Sequence, residues 1–119
     1  MADGWETRRR REPGNDWGVL ALSKPAQVEQ IILDTKFFKG NFPHTFSLST
    51  ANISDEDDSS IIKGSQSWMK LLERQKLGMN QIHTFDKKDI MHNEPFTHAR
   101  IDIYPDGGIA RLKFIGQFI

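Results

Sequence analysis

From Trp17 onward the chain alternates short apolar runs with turn-forming residues. Trp17 to Leu22 and Val28 to Leu33 are two such runs, separated by Ser23-Lys24-Pro25, and each predicts a buried strand. Phe46, Leu48 and Thr50 alternate with Ser47 and Ser49, the period of a half-buried strand with one face in a core. Residues 51–67 are polar and end at Gly64-Ser65. Trp68, Leu71, Leu72 and Gln75 follow, at a spacing that fits one or two helical turns as well as a short strand. The clearest pattern is C-terminal: Ala99, Ile101 and Ile103 alternate with His98, Arg100, Asp102 and Tyr104, Pro105-Asp106-Gly107-Gly108 turns the chain, and Ile109 to Ile115 returns. A hairpin with a four-residue loop would set Asp102 opposite Arg111 and Arg100 opposite Lys113. Short strands with Pro and Gly turns, and no long helical period between them, predict an all-β sandwich or barrel.

Composition narrows this to one ordinary domain. The chain has 119 residues, 37% hydrophobic and 27% charged, with 16 basic and 16 acidic side chains; a domain of this size can bury a core without disulfides or a structural metal. The absence of cysteine removes thiol nucleophiles, zinc fingers and iron–sulfur sites, and fits a reducing compartment. No apolar run approaches a membrane span, and Met1-Ala2-Asp3-Gly4-Trp5-Glu6 lacks the basic and apolar regions of a secretory signal, so a cytoplasmic location is expected. Balanced charge argues against general nucleic-acid binding, which needs many unpaired Lys and Arg. Two runs stand out. Asp55-Glu56-Asp57-Asp58, among Ser54, Ser59 and Ser60, reads as a solvated loop. Arg8-Arg9-Arg10-Arg11 has aromatic, acidic and turn-forming neighbours unlike a targeting tail.

Those neighbours make the chain recognisable. Gly4-Trp5-Glu6-Thr7-Arg8-Arg9-Arg10-Arg11 with Pro13-Gly14-Asn15-Asp16-Trp17 resembles the repeat motif of the allantoicase family. Asp34-Thr35-Lys36-Phe37-Phe38-Lys39-Gly40-Asn41-Phe42-Pro43, Trp68 to Leu72, Thr97-His98-Ala99-Arg100, and Tyr104-Pro105-Asp106-Gly107-Gly108 with Arg111-Leu112 resemble later blocks of the same family, in the same order. The resemblance implies a jelly-roll β-sandwich of the galactose-binding-like type. Such enzymes carry two similar repeats, and residues 1–119 correspond to one, with His83-x-Phe85 and the PGNDW variant closer to the second. The expected unit is therefore a partial domain lacking upstream strands, completed by a second repeat or by a copy of itself.

By the same resemblance the activity is hydrolysis of allantoate to ureidoglycolate and urea in purine degradation, without a cofactor. Allantoate carries a carboxylate and two ureido groups on one carbon. Its site needs a fixed cation, for which arginine's planar fork is suited, and proton transfer at the departing nitrogen. Arg8, Arg9, Arg100 and Arg111 lie in matching blocks and are the candidates for substrate binding; alternation along an extended chain would aim Arg8 and Arg9 opposite ways. Glu6, His98 and Asp106 are the candidates for proton transfer, with Asp16 behind them; histidine is the side-chain type that changes charge nearest neutral pH. Each also has a structural reading, as a paired carboxylate, a hydrogen-bonding histidine or a turn aspartate. Trp5, Trp17, Phe37, Phe38 and Phe42 read first as core. His44, His83, His92 and His98 show no metal-ligand spacing, so no metal is expected. Two further readings share the fold: a non-catalytic relative acting as a binding or interaction module, and a carbohydrate-binding module.

Overall fold

Proline cannot donate to a ladder, yet Ser23-Lys24-Pro25 does not end a strand. The computed structural model describes residues 2–6, 16–35, 44–54, 57–104 and 108–118. In it the two N-terminal apolar runs fuse into one 19-residue strand, β2 (Asp16–Asp34), preceded by β1 (Ala2–Glu6). The others are β3 (Thr45–Ala51), β4 (Met69–Lys76), β5 (Ile82–Phe85), β6 (Phe96–Tyr104) and β7 (Gly108–Phe118). At the proline β2 changes partner. Asp16 to Ala21 pair with β6, the register shifts before Ala26 pairs with Phe96 of β6, and Ala26 to Asp34 pair with β7, while Ile31 to Asp34 also pair with β5. β6 continues to β3 and then β4, and β7 continues to β1.

The result is an all-β sandwich, as expected, with every pairing antiparallel and β2 common to both layers. One layer supplies Phe46, Leu48, Leu72, Ala99, Ile101 and Ile103 to the core; the other supplies Ile31, Leu33, Phe85, Ile109 and Leu112. Rings meet across the gap: Phe46 and Phe85 lie 5.5 Å apart between centroids, and Phe96 and Phe114 5.7 Å.

The C-terminal strands are present, but they are not a hairpin. Asp102 faces Trp17 and Ser47, not Arg111, and Lys113 faces Ile32, not Arg100. Stacking in opposite layers buries Ile101 and Ile103 together with Ile109 and Leu112, which in-plane pairing would leave covered on one side only. Residues 68–76, ambiguous in sequence, resolve as Trp68 followed by β4. Register shifts opposite Leu48 let the consecutive Leu71 and Leu72 both be buried.

Helix forms instead in the polar stretch, as α1 (Asp58–Gly64) running into a 3₁₀ turn, Ser65–Ser67. Asp57 belonged to the run read as a solvated loop; its Oδ1 accepts the Ser60 backbone N–H at 2.8 Å and caps this helix. Those bonds hold its carboxyl below the usual aspartate range.

Two residues from the family-like blocks have structural duties. Fully buried Thr35 donates from Oγ1 to the Gly78 carbonyl at 2.7 Å and accepts from the Gln81 N–H at 3.1 Å. His83 accepts the Gly78 N–H on Nε2 at 2.8 Å, and Nδ1 meets the Leu33 carbonyl at 3.1 Å, which assigns the proton to Nδ1. Together they close the turn around Asn80, whose φ is 52°.

Candidate functional site

Alternation along β6 sends Ala99, Ile101 and Ile103 into the core and His98, Arg100, Asp102 and Tyr104 to the outer face of their layer. Register adds Trp17 and Val19 from β2, and Ser47 and Ser49 from β3, to the same face. That face was expected to be polar, and polar side chains on one sheet face are ordinarily solvated. Instead Arg100 and Asp102 are each only 8% exposed, and Ser47 and Ser49 are buried beside them.

Arg100 is held from several directions. Its Nε lies 3.1 and 3.2 Å from the two Asp102 carboxylate oxygens, and Nη2 donates to Oδ1 at 3.0 Å. Nη1 donates to Ser65 Oγ at 2.8 Å, and that hydroxyl in turn donates to the Ile62 carbonyl at 2.7 Å. The guanidinium carbon sits 4.4 Å from the centroid of the Trp17 ring. The fork is therefore fixed by a carboxylate, a hydroxyl from the 3₁₀ turn and an indole plane.

Its neighbours on the strand are also engaged. His98 Nδ1 is 2.8 Å from Thr97 Oγ1, and its ring meets Trp68 edge-on with centroids 6.2 Å apart. Thr97 Oγ1 accepts the Ile53 N–H at 2.8 Å, which anchors the chain leaving β3. His98 Nε2 has no partner among the described residues, so it is the nitrogen available to a ligand. Tyr104 Oη lies 3.4 Å from Ser47 Oγ, and the Arg74 guanidinium stacks 3.5 Å above its ring.

The structure thus brings His98 and Arg100 onto one face. Glu6 ends β1 opposite Gly108 in register, but its side chain lies outside the described residues, as do Arg8, Arg9 and Asp106. Arg111 does not join this face. It lies on the outer side of the other layer, with Asp3 and Asp34 at the register positions on either side. The backbone of the described strands nevertheless brings several strand ends together: Glu6 pairs with Gly108, Asp16 with Ile103 and Thr45 with Tyr104.

Sequence reasoning placed Asp102 on this polar face but not as the partner of Arg100, and missed Trp17 and Ser65 as parts of the cluster. Asp102 was legible, being two residues from Arg100 on one strand face, but had been assigned to Arg111 across the hairpin. Trp17, read as core, is 41% exposed and covers a cation. Ser65 carried no signal, since it arrives from a separate helical segment.

At the far end of β3, buried Thr50 meets His92, with Oγ1 and Nε2 2.8 Å apart, and the Glu94 N–H donates to His92 Nδ1 at 3.0 Å. That assigns the proton to Nε2. Burial pushes the His92 pKa down, opposed by the Glu94 charge.

The whole chain, residues 1–119, matches the family described as the allantoicase repeat. It is 47% identical over 117 residues to "Probable allantoicase 2" of Burkholderia mallei (strain ATCC 23344), covering 98% of this chain and 34% of that protein. It is 48% identical over 117 residues to "Probable allantoicase" of Pseudomonas fluorescens (strain SBW25), covering 98% of this chain and 35% of the relative. The crystal structure of allantoicase from Saccharomyces cerevisiae superposes with a TM-score of 0.77 at 31% identity, over 96% of this chain and 31% of that one. The chain spans about a third of the length of the curated relatives it matches.

Proposed function

Because the chain belongs to the allantoicase repeat family, we propose that it acts in the hydrolysis of allantoate to ureidoglycolate and urea, in the cytoplasm, as part of allantoin degradation. The observation that carries this reading is the Arg100 fork, buried and held by Asp102 on a polar sheet face. A buried ion pair is weak evidence for stability, because apolar side chains of similar volume often serve a fold as well. A fixed, always-charged planar cation is what a small carboxylate substrate requires.

In the reaction, the bond from the central carbon of allantoate to one ureido nitrogen breaks. Water supplies the hydroxyl that remains on that carbon, and the departing nitrogen takes a proton. Arg100 binds the carboxylate, and His98, through Nε2, is the proton carrier on the same face. Glu6, one of Arg8 and Arg9, and Asp106, which lie in the family-matching sequence blocks, are assigned to the remaining ureido contacts and proton transfer. Arg111, on the outer side of the other layer, is assigned a structural role rather than a substrate contact. Exposed Ile115 and Phe118 support contact with a partner, either a second repeat or a copy of this chain.

Urea release from allantoate, measured on the protein with light scattering on the same sample, tests the reading. Arg100→Lys should keep the fold and weaken allantoate binding, because it retains charge and loses the fork. Allantoate bound without urea release would instead favour a binding module, and a variant with lost stability but intact binding would assign Arg100 to structure.

A further inference from the structure

Strand β3 carries a hydroxyl that the fold buries and leaves unused. Ser49 is 5% exposed, and its Oγ has no hydrogen-bond partner among the described residues. The other buried hydroxyls do have partners: Thr35 bonds Gly78, Ser47 meets Tyr104, Thr50 meets His92, and Ser65 bonds Ile62 and Arg100. A buried hydroxyl without a partner costs free energy that alanine at the same position would avoid.

The surroundings of Ser49 are cationic. Its register partner on β6 is Arg100 and its register partner on β4 is Lys70, and directly opposed residues have Cβ atoms roughly 4.5–5.5 Å apart. Arg100 is itself incompletely used. A guanidinium has five N–H donors; Asp102 takes Nε–H and one from Nη2, and Ser65 takes one from Nη1. One hydrogen on each terminal nitrogen therefore lacks an acceptor among the described residues. An unpartnered O–H donor beside two unfilled N–H donors calls for an acceptor, and Lys70, which has no ion-pair partner among the described residues while Asp102 balances Arg100, calls for an anionic one.

We infer that Ser49 contacts the substrate, donating from Oγ to a carboxylate oxygen that Arg100 also binds, with Asp102 as the positioning residue that aims the Arg100 fork. The ligand class is a small carboxylate, and the inference rests on the allantoicase reading for naming it allantoate. Ser49 and Arg100 act as one subsite built across the β3–β6 ladder.

Ser49→Ala in the full chain separates this from a structural role, through thermal melting and calorimetric titration with allantoate. The expected result is a melting temperature at or above that of the unsubstituted protein, since an unsatisfied hydroxyl is removed. Allantoate affinity should fall about 10-fold or more, the usual cost of a hydrogen bond to a charged group. In an Arg100→Gln background the same change should cost less, because both groups hold one carboxylate. A lowered melting temperature with undiminished affinity would make Ser49 structural and overturn the inference. Failure of the unsubstituted protein to bind allantoate would defeat the functional reading itself, a result distinct from normal binding by both proteins, which defeats only the role of Ser49.

Discussion

Arg100 carries a full positive charge in a place that water barely reaches. Without Asp102 that charge would be uncompensated, a change that typically costs about 3–5 kcal/mol; with it, the cation is retained in a defined orientation. His92 follows the opposite logic, staying neutral so that Nδ1 can accept the Glu94 N–H while Nε2 donates to Thr50. Because burial lowers its folded pKa below the ordinary 6.5, the unfolded chain binds the proton first as the pH falls. The His92 contribution is complete above about pH 6.5 and declines as the pH drops toward the lower folded pKa. Urea denaturation at pH 7.5 and 5.5 should show less stability at the lower pH, and His92→Gln should reduce the difference; an equal pH dependence in that variant would remove His92 as its source. At this scale the sequence exposed residue types but not partners. Arg100 and His98 were legible because alternation alone puts them on one face, whereas the Ser65 hydroxyl depends on where α1 ends.

Elements were legible where apolar period and length agreed, as in β3 and β6, and misread where a neighbour's identity mattered. A strand's alternation says which face is apolar but not which strand lies beside it, so β6 and β7 were joined in plane although their apolar faces stack. The acidic stretch before α1 was read by composition, while its structure follows from one side chain at the capping position. β7 holds a further constraint at Gly116, beside the register shift between Val28 and Gln30 of β2. A Cβ there would stand 2.0 Å from the Gln27 carbonyl oxygen and 2.8 Å from the Val28 Cα, both backbone atoms that cannot swing aside. Gly116→Ala should therefore destabilise the protein by about 1–3 kcal/mol, with Phe114 shifting against Phe96. Thermal melting and the Phe114 ring signals in an NMR spectrum would check this, and an unperturbed variant would mean that β2 and β7 can separate locally without loss.

On the scale of the whole molecule, strand ends far apart in sequence converge, because β1, β2, β3 and β7 all begin or end near the Tyr104 end of β6. The strand pairings do the gathering, at one end of the sandwich. The fold class could be read from short strands and turn residues, but this convergence could not, since it depends on pairings between residues as distant as Asp16 and Ile103. The double membership of β2 reaches further still. A sandwich whose layers meet only through side chains has a seam along which one sheet can open while the other persists. Here one strand contributes a backbone ladder to each layer, to β6 in one and to β7 in the other, so losing β2 from either layer loosens the other as well. Native-state amide exchange should find one opening free energy, shared by Val28 to Leu33 of β2, Ile101 of β6 and Leu112 of β7, rather than two tiers. Protection surviving around β6 after β7 has exchanged would mean that the strand bends at Pro25 as a joint between two units that unfold separately.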